Sequence, residues 1–472
     1  MAGEKILDFS NLSYDSSMDI FSSPASNLGI TNMKYLEHKA VNQFNSESSV
    51  RFFINNSGPD YVYLPETKLK VKLRILQADG SKIPSLEEEN ISNNDQAVVE
   101  KTSTDSTDGS QKKTGVAHVA PINNMLNSLY DQIEITLNDQ IVSSGNTGHC
   151  FKAIISNLVE LSNSKKKSRL QTSMFYDDTP GCLEAVNVGP LGANEGLKKR
   201  YEFFKESKIV ELFGTLDVDV FKIRRYLLNN VNIQVVLHST STPFRLMSAC
   251  TSPNYKIEIL DISLIMCHVT PSNPILLAHQ ELMKEQNKLA LYPFIQEDLR
   301  KFVIPKSSNS FYVGDLFQGK CPDRMILAMV SSAAVSGAYN KNPFNFKHNN
   351  LSMLSISVNG VQIPDGVIKT DFVQDAYTSA YDALFNTIPR DSDNGGDNGI
   401  SYTAFKQGFA LFSIDFLPQT RSGQFYPLKK DGIVKLEMRF DKPLVDTTVL
   451  LVLTYSPAYF EIDYTRKVYL GR

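Results

Sequence analysis

The sequence predicts an all-β protein that contains two related domains in tandem. Residues 133–139 alternate apolar and polar side chains before a turn, and residues 354–360 repeat this pattern in the second half. Two more pairs follow in the same order: 216–221 with 412–417, and 231–237 with 434–440. Alternation with a period of two is typical of a strand that buries one face. Three such pairs in one order indicate a duplicated β domain.

Length and composition also favour two domains. The chain has 472 residues, whereas a single hydrophobic core rarely serves more than about 250–300. Its hydrophobic content is 42%, and its 27 Phe and 20 Tyr residues suit the pleated surfaces of β cores. We therefore expect two folded domains of about 200 residues each.

An N-terminal arm of residues 1–30 precedes the first domain. The arm is Ser-rich and carries four acidic residues against the single Lys5. Its scattered apolar residues are Ile6, Leu7, Phe9, Leu12, Tyr14, Met18, Ile20 and Phe21. A segment of this kind either docks along a neighbouring surface or frays. Its acidity argues against binding of nucleic acid.

The first domain is predicted to span residues 31–270. Besides the repeated segments, its predicted elements are strands at 50–54, 67–75 and 255–266 and a helix at 150–161. Residues 87–115 are almost devoid of large apolar side chains, which indicates a long exposed insertion.

A connecting helix at 271–289 is predicted to join the domains, because Pro274 stands where a helix tolerates proline. The second domain follows at 290–472. Its predicted elements are strands at 324–330 and 447–455, a helix at 371–386 that matches the helix at 150–161, and an exposed loop at 391–399. The apolar run at 447–455 predicts a strand covered on both faces.

Charge and cysteine content exclude several classes of protein. The net charge is −3, so no overall positive field attracts a phosphate backbone. Two basic clusters, 165–169 and 198–200, are interpreted as solvated loop charge. The five cysteines form no CxxC pair, which favours neither a disulfide framework nor a zinc site. Without an apolar leader or membrane-length run, we expect synthesis in the cell interior, in the cytoplasm or nucleus.

No motif for catalysis or for cofactor or metal binding stands out, so we predict no catalytic, cofactor-binding or metal-binding residues and a protein that is not an enzyme. The seven histidines form no HExxH pair, and no phosphate-binding or nucleophile motif is present. Asp391, Asp393 and Asp397 suggest a calcium loop, but Tyr402 stands where an EF-hand requires glutamate. A cellular β-sandwich module that binds a glycan or a peptide stays open as the alternative, although the chain lacks tryptophan.

Several short motifs carry a resemblance to a known family. In chain order they lie at 60–64 before 67–71, at 212–221 with 225–231, at 276–279, at 316–319 with Pro322, and at 460–463. In their order and spacing they resemble the major capsid (hexon) proteins of Polinton/Maverick elements and adintoviruses. The resemblance covers most of the chain from about residue 40 onward.

The resemblance implies a double jelly roll, which is two tandem eight-stranded antiparallel jelly rolls with short helices in the connecting loops. It also implies a structural role as a homotrimer, whose pseudo-hexameric capsomers tile an icosahedral shell around a DNA genome. The implied partners are neighbouring capsomers and penton and minor capsid proteins, and the implied location is the virion capsid. Independently of the resemblance, the lack of motifs, of a membrane-length apolar run and of net positive charge predicts no cofactor, no membrane span and no direct sequence-specific binding of nucleic acid.

Overall fold

The computed structural model describes residues 27–42, 48–87, 115–143, 147–250, 253–363, 367–386, 398–416 and 431–471. The arm before residue 27 and almost all of the predicted insertions at 87–115 and 391–399 lie outside the described residues.

Strands dominate the described part of the chain. The first half contains β1 (Ile30–Lys39), β2 (Val50–Ile54), β3 (Tyr61–Gln77), β4 (Val119–Pro121), β5 (Tyr130–Leu137), β6 (Gln140–Ile141), β7 (Val210–Thr215), β8 (Ile233–Ser239), β9 (Leu246–Ser248) and β10 (Tyr255–Pro271). The second half contains β11 (Ala290–Ile304), β12 (Ser310–Val313), β13 (Arg324–Ser331), β14 (Leu351–Val358), β15 (Val361–Gln362), β16 (Ile368–Lys369), β17 (Leu411–Asp415), β18 (Val434–Phe440), β19 (Thr448–Ile462) and β20 (Val468–Gly471).

Short helices occupy the connections between strands. They are α1 (Met125–Ser128), α2 (His149–Glu160), α3 (Asn163–Lys166), α4 (Glu195–Phe204), α5 (Thr242–Arg245), α6 (Asn273–Lys284), α7 (Ser332–Ser336), α8 (Thr378–Asn386) and α9 (Tyr402–Lys406). The described part of the chain also has 3-10 helices at Arg169–Ser173, Lys205–Ser207 and Asp219–Lys222. Among the described residues, no helix is both long enough and apolar enough to cross a bilayer.

The first half forms two four-stranded antiparallel sheets in the orders β1-β10-β3-β7 and β2-β8-β5-β6, and β4 and β9 pair separately. Without β4 and β9, one sheet joins the first, eighth, third and sixth strands in chain order. The other joins the second, seventh, fourth and fifth strands. This connectivity is that of a jelly roll, whose two facing sheets enclose one core.

The second half repeats this connectivity. Its sheets run β11-β19-β13-β17 and β12-β18-β14-β15, and β16 and β20 are added to β14 and β19. Leaving out β16 and β20, the order is again first, eighth, third, sixth and second, seventh, fourth, fifth. The all-β prediction of two eight-stranded jelly rolls is therefore confirmed.

β19 shows why the sequence folds in this way. Eight consecutive residues from Thr448 to Tyr455 are buried, and β19 pairs with β11 on one edge and β13 on the other. A continuous apolar run suits a strand that is central in its sheet and covered on both faces. By contrast, β3 alternates buried and partly exposed residues from Thr67 to Ile75, so it buries one face.

One repeated segment is not a strand as predicted. Residues 216–218 form an extended connection and residues 219–222 a 3-10 helix, whereas the strand that matches β17 is β7, which ends at Thr215. Leu216, Val218 and Val220 are buried in the first core. Asp217 and Asp219 alternate with these apolar residues because they lie on the other side of the segment, beside the ion network described below. The resulting pattern resembles that of a strand.

Each core includes residues from the other roll. The core of the first roll includes Tyr292, Phe294, Phe460 and Ile462 from β11 and β19 of the second roll. The core of the second roll includes six buried residues of α2. The rolls therefore pack side by side through apolar surface that belongs to both.

Candidate assembly surfaces

An ion network crosses the junction between the two rolls. Lys222 Nζ lies 2.7 Å from Asp217 Oδ1 and 2.6 Å from Glu297 Oε1 on β11. Glu297 Oε2 also lies 3.7 Å from Lys152 Nζ on α2. Glu297 is buried, whereas Lys222 retains partial exposure. Two lysines of the first roll thus bind one carboxylate of the second.

A second pair on the same side of the junction extends the network. Arg324 Nη2 on β13 lies 3.6 Å from Glu160 Oε1 at the end of α2, and its guanidinium lies 3.9 Å from the centroid of the Tyr455 ring. Stacking on an aromatic face and pairing with a carboxylate together fix a guanidinium in one orientation. These contacts define how the rolls are oriented relative to each other.

The network shifts the pKa values of its members. Burial raises the pKa of Asp219, and a neighbouring lysine only partly offsets this effect. Desolvation lowers the pKa of Lys222, but the carboxylates of Asp217, Glu297 and Glu160 outweigh it and hold the pKa well above the usual value. Lys222 therefore stays charged, as a structural cation must.

The network encloses too little space to act on a substrate. A cavity of about 20 Å³ lies beside it, lined by residues that include His149, Lys152 and Glu297. This is close to the space that one water molecule needs. Within the described residues, no group of three or more His, Cys, Asp or Glu side chains is placed to hold a metal. The cluster can orient the rolls, but it cannot admit an organic molecule.

Both basic clusters were interpreted from the sequence as solvated loop charge, and for one residue in each this interpretation is wrong. Lys166 is buried, and its Nζ donates to the carbonyl oxygens of Leu158 and Asn398, each at 2.6 Å. Arg200 is fully buried beside Asp178 at 2.7 Å. Asn398 lies 232 residues from Lys166, and Asp178 lies 22 residues from Arg200, so composition alone gave no sign of burial.

The first strand of each roll lies at the edge of a sheet. Within the described residues, β1 pairs only with β10, and β11 pairs only with β19. Outside the groove described next, the apolar side chains that these edges expose are Met33, Tyr35 and Leu36 on β1 and Ile295 and Val303 on β11. An open edge with exposed apolar side chains is suited to association with another chain. We call them the β1 edge and the β11 edge.

A groove of about 680 Å³ lies between the connecting helix α6, the start of β1 and the loop at Arg224 and Arg225. Its apolar wall includes Ile30, Val269, Ile275, Leu282, Met283, Leu289 and Leu291. Tyr61 and His279 form a hydrogen bond of 2.9 Å across one side. On the other side, Arg225 Nη1 donates to the carbonyl oxygen of Leu291 at 2.7 Å. We call this feature the linker groove.

Asp323 makes stability depend on pH. It is buried just before β13, and burial together with the nearby charge of Asp415 raises its pKa from 3.8 to about 6. The folded state therefore holds this proton more tightly than the unfolded chain does. Stability is greatest when Asp323 is protonated, and it falls as pH rises from about 4 through 6.

We expect Asp323→Asn to raise the free energy of unfolding at pH 8 by about 1–2 kcal/mol, because the variant removes a disfavoured buried charge. Urea unfolding at pH 4.5 and at pH 8 measures this effect. The gain should shrink toward pH 4.5, where the parent carries the proton. Asp446→Asn, at an exposed position, is the matched control. An equal gain at both pH values would contradict the assignment to Asp323.

Comparison with known proteins identifies the architecture. No family model matches the chain. A chain in the cryo-EM structure of the Sputnik virophage superposes with a TM-score of 0.61 at 11% identity, and the match covers 100% of this chain and 94% of that chain. The chain is a double jelly roll.

Two further solved structures also match over nearly the whole chain. VP54 of PBCV-1, fitted into a cryo-EM reconstruction of the virophage Sputnik, matches with a TM-score of 0.55 at 8% identity, covering 96% of this chain and 99% of VP54. The mavirus major capsid protein gives 0.51 at 11% identity, covering 99% and 96%. An uncharacterized protein of Caenorhabditis elegans, F54H12.2, is 22% identical over 426 residues, which are 89% of this chain and 92% of the relative. Identities this low establish the shared fold alone.

Proposed function

We propose that this double jelly roll is a major capsid protein of viral type, with a structural and non-enzymatic role. The observation that carries the proposal is the pair of complete jelly rolls in one chain, matched over nearly its whole length by the mavirus major capsid protein. A binding module needs one sandwich and a loop site, whereas a second roll of the same connectivity adds surface for contacts between chains.

The symmetry of a trimer gives a reason for two jelly rolls in one chain. Three chains with two similar rolls each make a block with six lobes, so a cyclic homotrimer can occupy a hexagonal position in a lattice. We propose that such pseudo-hexameric capsomers tile an icosahedral shell around a DNA genome, in contact with penton and minor capsid proteins. The chain would then be made in the host cytoplasm or nucleus and reside in the virion capsid.

The motifs favour the Polinton/Maverick and adintovirus type within this proposal. The relative in Caenorhabditis elegans fits a gene that is carried in an animal genome. The domain organisation that we propose consists of an arm at 1–30, rolls at 31–270 and 290–472, and the connecting helix at 271–289.

The β1 edge and the β11 edge are the surfaces that we propose for contacts within the trimer. In a cyclic arrangement, the first roll of one chain meets the second roll of the next, so the interface is heterologous. The two edges suit a heterologous interface because they differ in sequence. Both are unpaired on their outer side and expose apolar side chains. β1 exposes side chains on both of its faces. Such exposure is unusual in a strand unless another chain covers it.

Native mass measurement tests this proposal. The purified protein is expected at three times the chain mass of 52.8 kDa. Met33→Lys/Leu36→Lys is expected to leave the fold intact and shift the mass to that of one chain, because two buried charges destabilise an interface core. Val373→Lys/Val445→Lys places the same charges at exposed apolar sites away from the sheet edges and should remain trimeric.

The alternative, a cellular β-sandwich module that binds a glycan or peptide, predicts a monomer for all of these proteins. If the unsubstituted protein is a monomer and forms no shell in electron micrographs, the capsid proposal is contradicted. A trimeric parent whose edge variant also stays trimeric would retain the capsid role and move the interface elsewhere.

A further inference from the structure

The linker groove combines an apolar wall with a single sign of charge. Arg224, Arg225 and Lys288 lie around it, and none of its described lining residues is acidic. Leu289 and Leu291 are 42% and 41% exposed within it. A cationic rim around uncovered leucines suits an occupant that is apolar and acidic.

The chain enters the described fold at the rim of this groove. Asn27, Gly29 and Ile30 are lining residues, and the carbonyl oxygen of Gly29 accepts a hydrogen bond of 3.0 Å from Ser272 N at the start of α6. A Cβ atom on Gly29 would lie only 3.0 Å from Ile275 Cδ1, so the backbone packs directly against the helix. Residues 1–26 therefore connect to the fold at the groove itself.

The segment that precedes Asn27 has the composition that the groove requires. Its acidic residues are Glu4, Asp8, Asp15 and Asp19, against one lysine. The large apolar side chains closest to Asn27 are Met18, Ile20 and Phe21, which flank Asp19. Six residues of extended chain span about 20 Å, and a helix of twelve residues such as α6 is about 18 Å long. Phe21 can thus reach any part of the α6 wall.

We propose that residues 18–21 of the same chain bind in the linker groove, with Met18, Ile20 and Phe21 on the apolar wall and Asp19 beside Arg224. The short tether favours this occupant, since a segment attached at the rim has an effective concentration in the millimolar range. The inference concerns a single chain and goes beyond the proposed capsid role. Residues 1–17 stay available for contacts outside the subunit.

Chymotrypsin cleavage of the full-length protein tests the inference, because it cuts after aromatic residues and Phe9 and Phe21 both lie in the segment. Cleavage after Phe21 is expected to be at least about tenfold slower than after Phe9, since only the undocked fraction is cut. Leu289→Glu and Arg224→Glu are each expected to raise Phe21 cleavage to the rate at Phe9. Adding Asp19→Arg to Arg224→Glu is expected to restore protection.

Val445→Glu, which changes an exposed apolar residue outside the groove lining, is the matched control and should leave Phe21 protected. Thermal unfolding checks that each variant folds. The inference is overturned if Phe21 is cut as fast as Phe9 in the parent, or if Leu289→Glu leaves its protection unchanged.

A mixing experiment decides between the same chain and a second copy. Tagged Leu289→Glu protein is incubated with excess untagged parent, and cleavage of the tagged chain is followed by mass. Same-chain docking predicts that Phe21 of the tagged chain stays cleavable. Recovered protection would mean that another copy supplies the groove, which overturns the assignment.

Discussion

Replacing Arg200 with methionine is expected to lower the free energy of unfolding by about 3–5 kcal/mol, because the change leaves a buried carboxylate without its cation. Arg200 is fully buried, and its Nη2 lies 2.7 Å from Asp178 Oδ1. Its Nε and Nη1 donate to the carbonyl oxygens of Pro121 at 2.9 Å and Tyr176 at 2.8 Å. Urea unfolding followed by circular dichroism measures the loss.

Asp178 also connects the Arg200–Asp178 pair to the second roll. Its Oδ2 accepts a hydrogen bond of 3.1 Å from Asn342 Nδ2, and the same nitrogen lies 3.1 Å from the carbonyl oxygen of Leu183. Asn342 belongs to the second roll, so Arg200 holds Asp178 in position to bind it. Arg200→Met/Asp178→Asn is the control, because it also removes the orphaned charge. We expect it to recover about 1–3 kcal/mol. Equal losses in both variants would assign the penalty to packing alone.

The sequence predicted the strands that bury one face or both. The repeated segments at 133–139 and 354–360 are the fourth strands of the two rolls, β5 and β14. The run at 447–455 is the central strand β19, and the predicted connecting helix is α6. These elements could be predicted from the sequence because a buried face requires apolar side chains at a regular spacing along the chain.

β1 shows where this signal ends. No strand was predicted at 30–39, because Lys34, Glu37, His38 and Lys39 interrupt any alternation. The strand is exposed on both faces and is held by its backbone pairing with β10. Backbone pairing leaves no trace in side-chain pattern, so an exposed edge strand cannot be predicted in this way.

The junction could not be predicted either. Lys222 and Glu297 are 75 residues apart, and each looks like an ordinary surface charge in its own segment. The ion network exists only because the rolls pack together, and a period-two pattern carries no information about that packing. The apolar residues of α2 predicted a helix, but not that the helix would contribute to the core of the second roll.

Phe460 is an aromatic residue that the second roll contributes to the core of the first. It lies on β19, has no exposed surface, and stacks on Tyr292 with ring centroids 4.8 Å apart. Tyr292 in turn accepts a hydrogen bond of 3.2 Å from Leu228 N and donates one of 3.1 Å to the carbonyl oxygen of Tyr226. Removing the ring should therefore disturb both rolls.

We expect Phe460→Ala to lower the free energy of unfolding by about 3–5 kcal/mol, from lost burial and the cavity that remains. Hydrogen exchange followed by mass spectrometry should show faster exchange in β19 and also in β3 and β10 of the first roll. Phe412→Ala is the matched control, because Phe412 is equally buried but contacts Phe372 and Phe405 inside the second roll. It should cost a similar amount and leave exchange in the first roll unchanged. If both variants spare the first roll, the shared core does not couple the two rolls, and their side-by-side arrangement depends on the ion network and the Arg200–Asp178 pair instead.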